Sequence, residues 1–111
     1  MKKIVINTCY GGFGLSKKAI KMYGKLKGLN LKRKKTKYGR KDYYINGRDF
    51  FLDSDIKRDD PSLIEVVTKL GEKADGDFSE LKIVEIPNDI QYIIQDYDGI
   101  EWIAEKHRVW G

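Results

Sequence analysis

The chain opens on three contiguous β-branched residues, Ile4-Val5-Ile6, and soon turns through a glycine-rich segment, Tyr10-Gly11-Gly12-Phe13-Gly14. This pairing limits the fold more than any other feature. Successive strand side chains point to opposite faces, so an unbroken apolar run reads as a strand, Lys3 to Thr8, covered on both sides. Ser16 can accept a hydrogen bond from a first-turn N–H and so cap a helix over Lys17 to Lys27, which Gly28 ends. Ala19, Ile20 and Tyr23, joined by Met22 and Leu26, give that helix an apolar stripe. Its other face is Lys17, Lys18, Lys21 and Lys25.

The remaining elements follow from punctuation. Asp42 to Ile45 and Arg48 to Phe51 flank Asn46-Gly47, a hairpin signal because both central residues want positive φ. Asp60-Pro61 is an N-cap followed by proline in the first helical position. Leu63, Ile64, Val66, Val67 and Leu70 then supply an apolar face, and Gly71 ends the helix. Leu81 to Ile86 alternates as a strand and stops at Pro87. Ile90 to Asp96 and Ile100 to Glu105 form a last hairpin around Tyr97-Asp98-Gly99. The expected fold is α+β: one domain over residues 1–111, a mixed β-sheet with two helices, in the order β-α-β-β-α-β-β-β. Residues 29–41 carry no clear assignment.

Composition narrows the functional classes. The 111 residues are 41% hydrophobic, enough for one modest core. No apolar run approaches the ~18 residues of a membrane helix. Met1 to Thr8 is too short for a signal-peptide core, so a cytoplasmic protein of the host cell is expected. Cys9 is the one cysteine and His107 the one histidine, which excludes an internal disulfide and a zinc site of the usual Cys/His type. No cofactor and no metal is expected. Residues 1–41 hold 14 of the 22 basic residues and none of the 17 acidic ones. Such asymmetry means either a polyanionic partner or pairing between the two halves.

Several groups of residues can carry chemistry. The segment Asn7-Thr8-Cys9-Tyr10-Gly11-Gly12-Phe13-Gly14-Leu15-Ser16, followed by Lys17, joins a buried strand to a helix N-terminus. Backbone N–H groups and the helix dipole favour an anion there, and glycine lets a ligand approach the main chain. The spacing matches neither a P-loop nor a dinucleotide fingerprint, and a tight β-to-α turn explains the glycines equally. Lys32-Arg33-Lys34-Lys35, with Tyr38, Tyr43 and Tyr44 close behind, suits phosphate contact plus base stacking, or else a solvated basic loop. Cys9 and His107 would make a nucleophile and base only if the fold brought them together. Arg58-Asp59-Asp60-Pro61 reads as a cap with a local ion pair, or as a carboxylate pair for a ligand. Trp102, His107, Arg108 and Trp110 belong to a C-terminal segment rich in interface anchors.

Five stretches carry a resemblance. These are Ile4-Val5-Ile6-Asn7-Thr8-Cys9-Tyr10-Gly11-Gly12-Phe13-Gly14-Leu15-Ser16, Arg58-Asp59-Asp60-Pro61, Val66-Val67 with Leu70-Gly71, Leu81-Lys82-Ile83-Val84-Glu85-Ile86-Pro87, and Tyr97-Asp98-Gly99-Ile100-Glu101-Trp102 with Glu105-Lys106-His107-Arg108. Together they resemble a family of small proteins of tailed phages and prophages. The basic stretch 28–41 lies outside the resemblance. The likeness implies an accessory or counter-defence factor, with no catalytic residue to carry over.

The expected function is therefore non-enzymatic: binding and sequestering a phosphate-bearing nucleotide or signalling nucleotide, in a homo-oligomer. Main-chain N–H groups of the glycine turn would hold phosphate. Lys17, Lys18 or Arg58 would add charge, and Tyr10, Phe13 or Trp102 would stack on a base. The other reading is a protein that binds nucleic acid or inhibits a host immune enzyme through its basic segment.

Overall fold

The structure, a computed structural model, describes residues 1–35, 41–45 and 49–106, with only the backbone of Lys35, Lys41, Asp42, Asp49 and Phe50. The chain runs β1 (Lys2–Asn7), α1 (Lys17–Lys27), β2 (Leu31–Lys35), β3 (Lys41–Ile45), β4 (Asp49–Phe51), α2 (Pro61–Leu70), β5 (Leu81–Ile86), β6 (Tyr92–Tyr97) and β7 (Ile100–Glu105). Short 3₁₀ turns at Asp53–Asp55 and Gly71–Ala74 flank α2. The class is α+β in the expected order, with one strand more, β2, from the basic stretch. Lysine-rich Leu31–Lys35 has little intrinsic β preference. It is a strand because β3 pairs with it, Arg33 opposite Tyr43 and Leu31 opposite Ile45. Lysines on such an edge strand also discourage pairing with other chains.

The strands do not make one mixed sheet. Among the described residues they form three antiparallel sheets: β1–β5, β2–β3–β4 and β6–β7. β1 is covered on both faces, as its apolar run demands, and Ile4, Val5, Ile6 and Asn7 are all buried. Val5 joins the core of the two helices, and β7 packs against β1 as well. Yet β1 has a single strand neighbour. Its other edge is closed by the Arg58 carbonyl, which accepts from Val5 N–H at 2.8 Å, and by the Glu101 carboxylate, which accepts from Asn7 N–H at 2.8 Å. Those contacts take the place a further strand would fill, so the sheet stops at two.

Both helices are capped as their sequences demand. Ser16 Oγ accepts from Ala19 N–H at 3.1 Å, and Gly28 takes a left-handed φ of 68°. The helices pack antiparallel. Ser16 N–H and Oγ donate to the Ala74 and Lys73 carbonyls at one end, and Tyr23 and Lys27 meet Asp60 at the other. Ala19, Ile20, Tyr23, Leu63, Val66 and Val67 are buried between them. Leu26 stays 40% exposed, because the partner at that end of α1 is polar Asp60 rather than an apolar turn. The first hairpin also differs in detail. Ile45 pairs with Asp49, which leaves Asn46, Gly47 and Arg48 between the strands; these three lie outside the described residues. The last hairpin turns on two residues rather than the expected three: Tyr97 pairs with Ile100, and Asp98 and Gly99 between them take φ of 50° and 92°.

Asp60 accepts from Ser62 N–H (2.8 Å) and Tyr23 OH (3.0 Å), and pairs with Lys27 Nζ (2.9 Å). Burial pushes its carboxyl up, but hydrogen bonds from Lys27, Ser62 and Tyr23 outweigh that and hold it below its ordinary value. The Tyr23 phenol is pushed up to about 12 by its own burial and by the neighbouring carboxylate, so it remains a donor. A lowered folded value means the stabilisation is complete above about pH 4, the ordinary Asp value, and is lost as pH falls through the folded value. Asp60→Ala is expected to lower stability at neutral pH by about 1–2 kcal/mol and to flatten the acid limb of the stability profile, read from urea midpoints at several pH values.

Candidate functional site

The glycine turn is built around buried Asn7. Its Nδ2 donates to the carbonyls of Cys9 and Gly99, both at 2.7 Å, while Oδ1 accepts from Cys9 N–H (3.3 Å) and Glu80 N–H (2.8 Å). Thr8 N–H donates to the Glu80 carbonyl at 2.8 Å. Gly11 N–H donates to the Asp98 carbonyl at 3.3 Å, so the tip of the last hairpin lies on the turn. Part of the glycine content is therefore architectural. A Cβ on Gly11 would stand 2.8 Å from the Phe78 carbonyl oxygen, and its φ is 117°.

Beside this turn runs an open groove of about 460 Å³. Gly11, Gly12, Phe13, Gly14, Ser16 and Lys17 line it, and so do Arg33 of β2, Tyr43 of β3, Asp53, and residues 76–79. The glycine turn and the basic stretch, separate candidates in the sequence, thus share one cavity. Gly12, Phe13, Gly14 and Lys17 keep backbone N–H groups without a partner among the described residues. Leu15 N–H is taken: it donates to Asp53 Oδ2 at 2.9 Å. Asp53 thus places an internal carboxylate beside the N-terminus of α1, and its Oδ1 has no partner among the described residues. Two cations, Lys17 and Arg33, and two carboxylates, Asp53 and Asp77, line the same groove. Such a groove is not a bare anion trap; it matches a ligand with both phosphate oxygens and hydrogen-bond donors.

Aromatic surface is present as well. Phe78 is 74% exposed at the groove, where an apolar ring has no packing role. The Tyr43 hydroxyl is enclosed with no hydrogen-bond partner among the described residues, and the ring lies partly buried against the core at the groove wall. Phe13 lines the groove with the Arg58 guanidinium 3.7 Å from its ring centroid.

Other sequence candidates fall elsewhere. Arg58 is turned inward: its Nη1 and Nη2 donate to Glu101 Oε1 and Oε2, the latter at 2.8 Å, and Nη1 also reaches the Val5 carbonyl at 3.4 Å. Its charge is neutralised within the fold and does not face the groove. Thr8, Cys9 and Tyr10 belong to the turn but not to the groove wall; Tyr10 is 64% exposed. Trp102 is 44% exposed on β7 and donates from Nε1 to Gln95 Oε1 at 3.0 Å. His107, Arg108 and Trp110 lie outside the described residues, as does Tyr38, and so does any meeting of Cys9 with His107. Sequence reasoning passed over Asp53, Asp77 and Phe78, and included Asn7 in the turn without a role of its own. Phe78 did carry a signal, a lone aromatic among turn residues. Asp53 carried none, because its role depends on a contact 38 positions away.

No protein-family model, no curated protein and no solved structure matches the chain. No helix among the described residues is long and apolar enough to cross a membrane.

Proposed function

We propose that this is a non-enzymatic accessory protein that binds and sequesters a phosphate-bearing nucleotide in the groove beside the glycine turn. The proposed setting is that of the small tailed-phage and prophage proteins which the sequence motifs resemble, in which removing a signalling nucleotide would serve counter-defence. The observation that carries the reading is that Lys17, Arg33 and four residues whose main-chain N–H groups have no partner among the described residues line one cavity. Phosphate oxygens are acceptors only, and this is a concentration of donors. Asp53 Oδ1 and Asp77 would accept from sugar hydroxyls or a base amine. Phe78 and Tyr43 would supply the apolar and stacking surface that a base requires.

Lys17 and Arg33 are exposed, so their removal is expected to leave the thermal midpoint of the free protein unchanged. Each alanine substitution is expected to weaken nucleotide binding about tenfold or more, corresponding to the ~1.5–3 kcal/mol of a hydrogen bond to a charged group. Calorimetric titration with ribonucleoside mono-, di- and triphosphates and cyclic oligonucleotides makes the measurement. A wild-type protein that is folded and binds none of these would end the reading.

A further inference from the structure

The nucleotide groove is one end of a longer feature. Along α1, Lys17, Lys21 and Lys25 recur every fourth residue, forming a ridge that spans about 12 Å of helix axis. All three are exposed, and none meets a carboxylate among the described residues. The arrangement works against the helix. Like charges four residues apart repel, and Lys17 and Lys18 stand at the positive end of the helix dipole, where no acidic residue offsets them within the first turn. In the same chain α2 follows the ordinary rule, with an Asp cap and a Glu65–Lys69 pair. A local rule broken without a compensating contact within the element marks a surface kept for something else.

The seam between α1 and β2 gives the ridge a path. Gly24 lies against Leu31, where an added Cβ would stand 3.0 Å from Leu31 Cδ1. Arg33 follows two residues along the same face of β2 and reaches the groove beside Lys17. Further along the seam lies a second depression of about 220 Å³, lined by Lys21, Lys25, Leu29 and Leu31. Cations thus alternate with apolar floor from one cavity to the next.

We propose that the ligand is a short single-stranded oligonucleotide, with its terminal nucleotide in the groove and its backbone along Lys21 and Lys25. This rests on the groove reading and names the substrate class for it. A mononucleotide would reach only Lys17 and Arg33. An extended strand uses all four cations and lays sugar and base edges on Leu29 and Leu31. Four neutralised phosphates give a single-strand salt slope of about −2.8, which is roughly a fifty-fold loss of affinity between 50 and 200 mM salt.

The test is fluorescence anisotropy with a labelled, 5′-phosphorylated uridylate pentamer, beside calorimetry with UMP. Wild-type protein is expected to bind the pentamer at least tenfold more tightly than UMP. Joint Lys21→Ala and Lys25→Ala substitution is expected to reduce the salt effect on the pentamer to roughly sevenfold and to leave UMP binding unchanged. A pentamer bound no more tightly than UMP would overturn the track and leave the groove reading standing. Pentamer binding that needs Lys21 and Lys25 and is unchanged by Lys17→Ala and Arg33→Ala would overturn the seating of the terminal nucleotide in the groove. No pentamer binding overturns the proposal and transfers the lysine ridge to an acidic protein surface, and the groove reading then stands or falls on the calorimetric panel.

Discussion

Glu101→Ala is expected to destabilise the protein by about 3–5 kcal/mol, the usual effect of removing one partner from a buried ion pair. The carboxylate is 9% exposed and its Arg58 partner 15%. Its loss would leave a guanidinium with no counter-charge against Phe13, and Asn7 N–H with no acceptor. Arg58→Met is expected to be comparably damaging, for the mirror reason. The double variant Arg58→Met with Glu101→Leu should lose far less than the sum of the two, because no charge is then left buried. Chemical denaturation of the four proteins closes the cycle. Additive losses would show that the pair does not act as a unit, and would remove the account of how the open edge of β1 is sealed.

Gly99→Ala is expected to have the next largest effect, about 2–5 kcal/mol from the combination of backbone strain and overpacking. Gly99 has φ of 92°, and an added Cβ would overlap Gly12 N and lie 2.8 Å from Gly11 N. The hairpin tip would have to lift off the glycine turn, breaking the bond from Asn7 Nδ2 to the Gly99 carbonyl. Gly12→Ala makes the comparison informative. Its φ is 95°, but nothing lies within 4 Å of the added carbon, so strain alone acts there. Guanidinium midpoints should therefore rank wild type, Gly12→Ala, Gly99→Ala in falling order. A Gly99→Ala protein as stable as Gly12→Ala would show that the tip and the turn are not in contact.

These two sites mark the boundary between local and tertiary information. The sequence by itself determined both helices to the residue, because a cap is a local hydrogen bond: Ser16 and Asp60 each need only a first-turn N–H, and Gly28 only its own left-handed φ. It also determined β1, β5 and the last hairpin, where apolar pattern and turn chemistry agree within a few residues. It assigned nothing to Leu31–Lys35, whose strand exists only because β3 lies beside it. It could not anticipate three small sheets in place of one, since that depends on Arg58 and Glu101 meeting at the edge of β1 from 43 positions apart. The candidate site divides the same way. The glycine turn and Lys17 were legible as a strand-to-helix junction. The tertiary structure alone stacked Arg58 on Phe13 and paired its charge with Glu101, brought Arg33 and Tyr43 to the junction, and set the Asp53 carboxylate on Leu15 N–H. The physical reason is that a capping bond is encoded within a few residues, whereas a binding wall is assembled from segments whose proximity is a property of the whole packed chain.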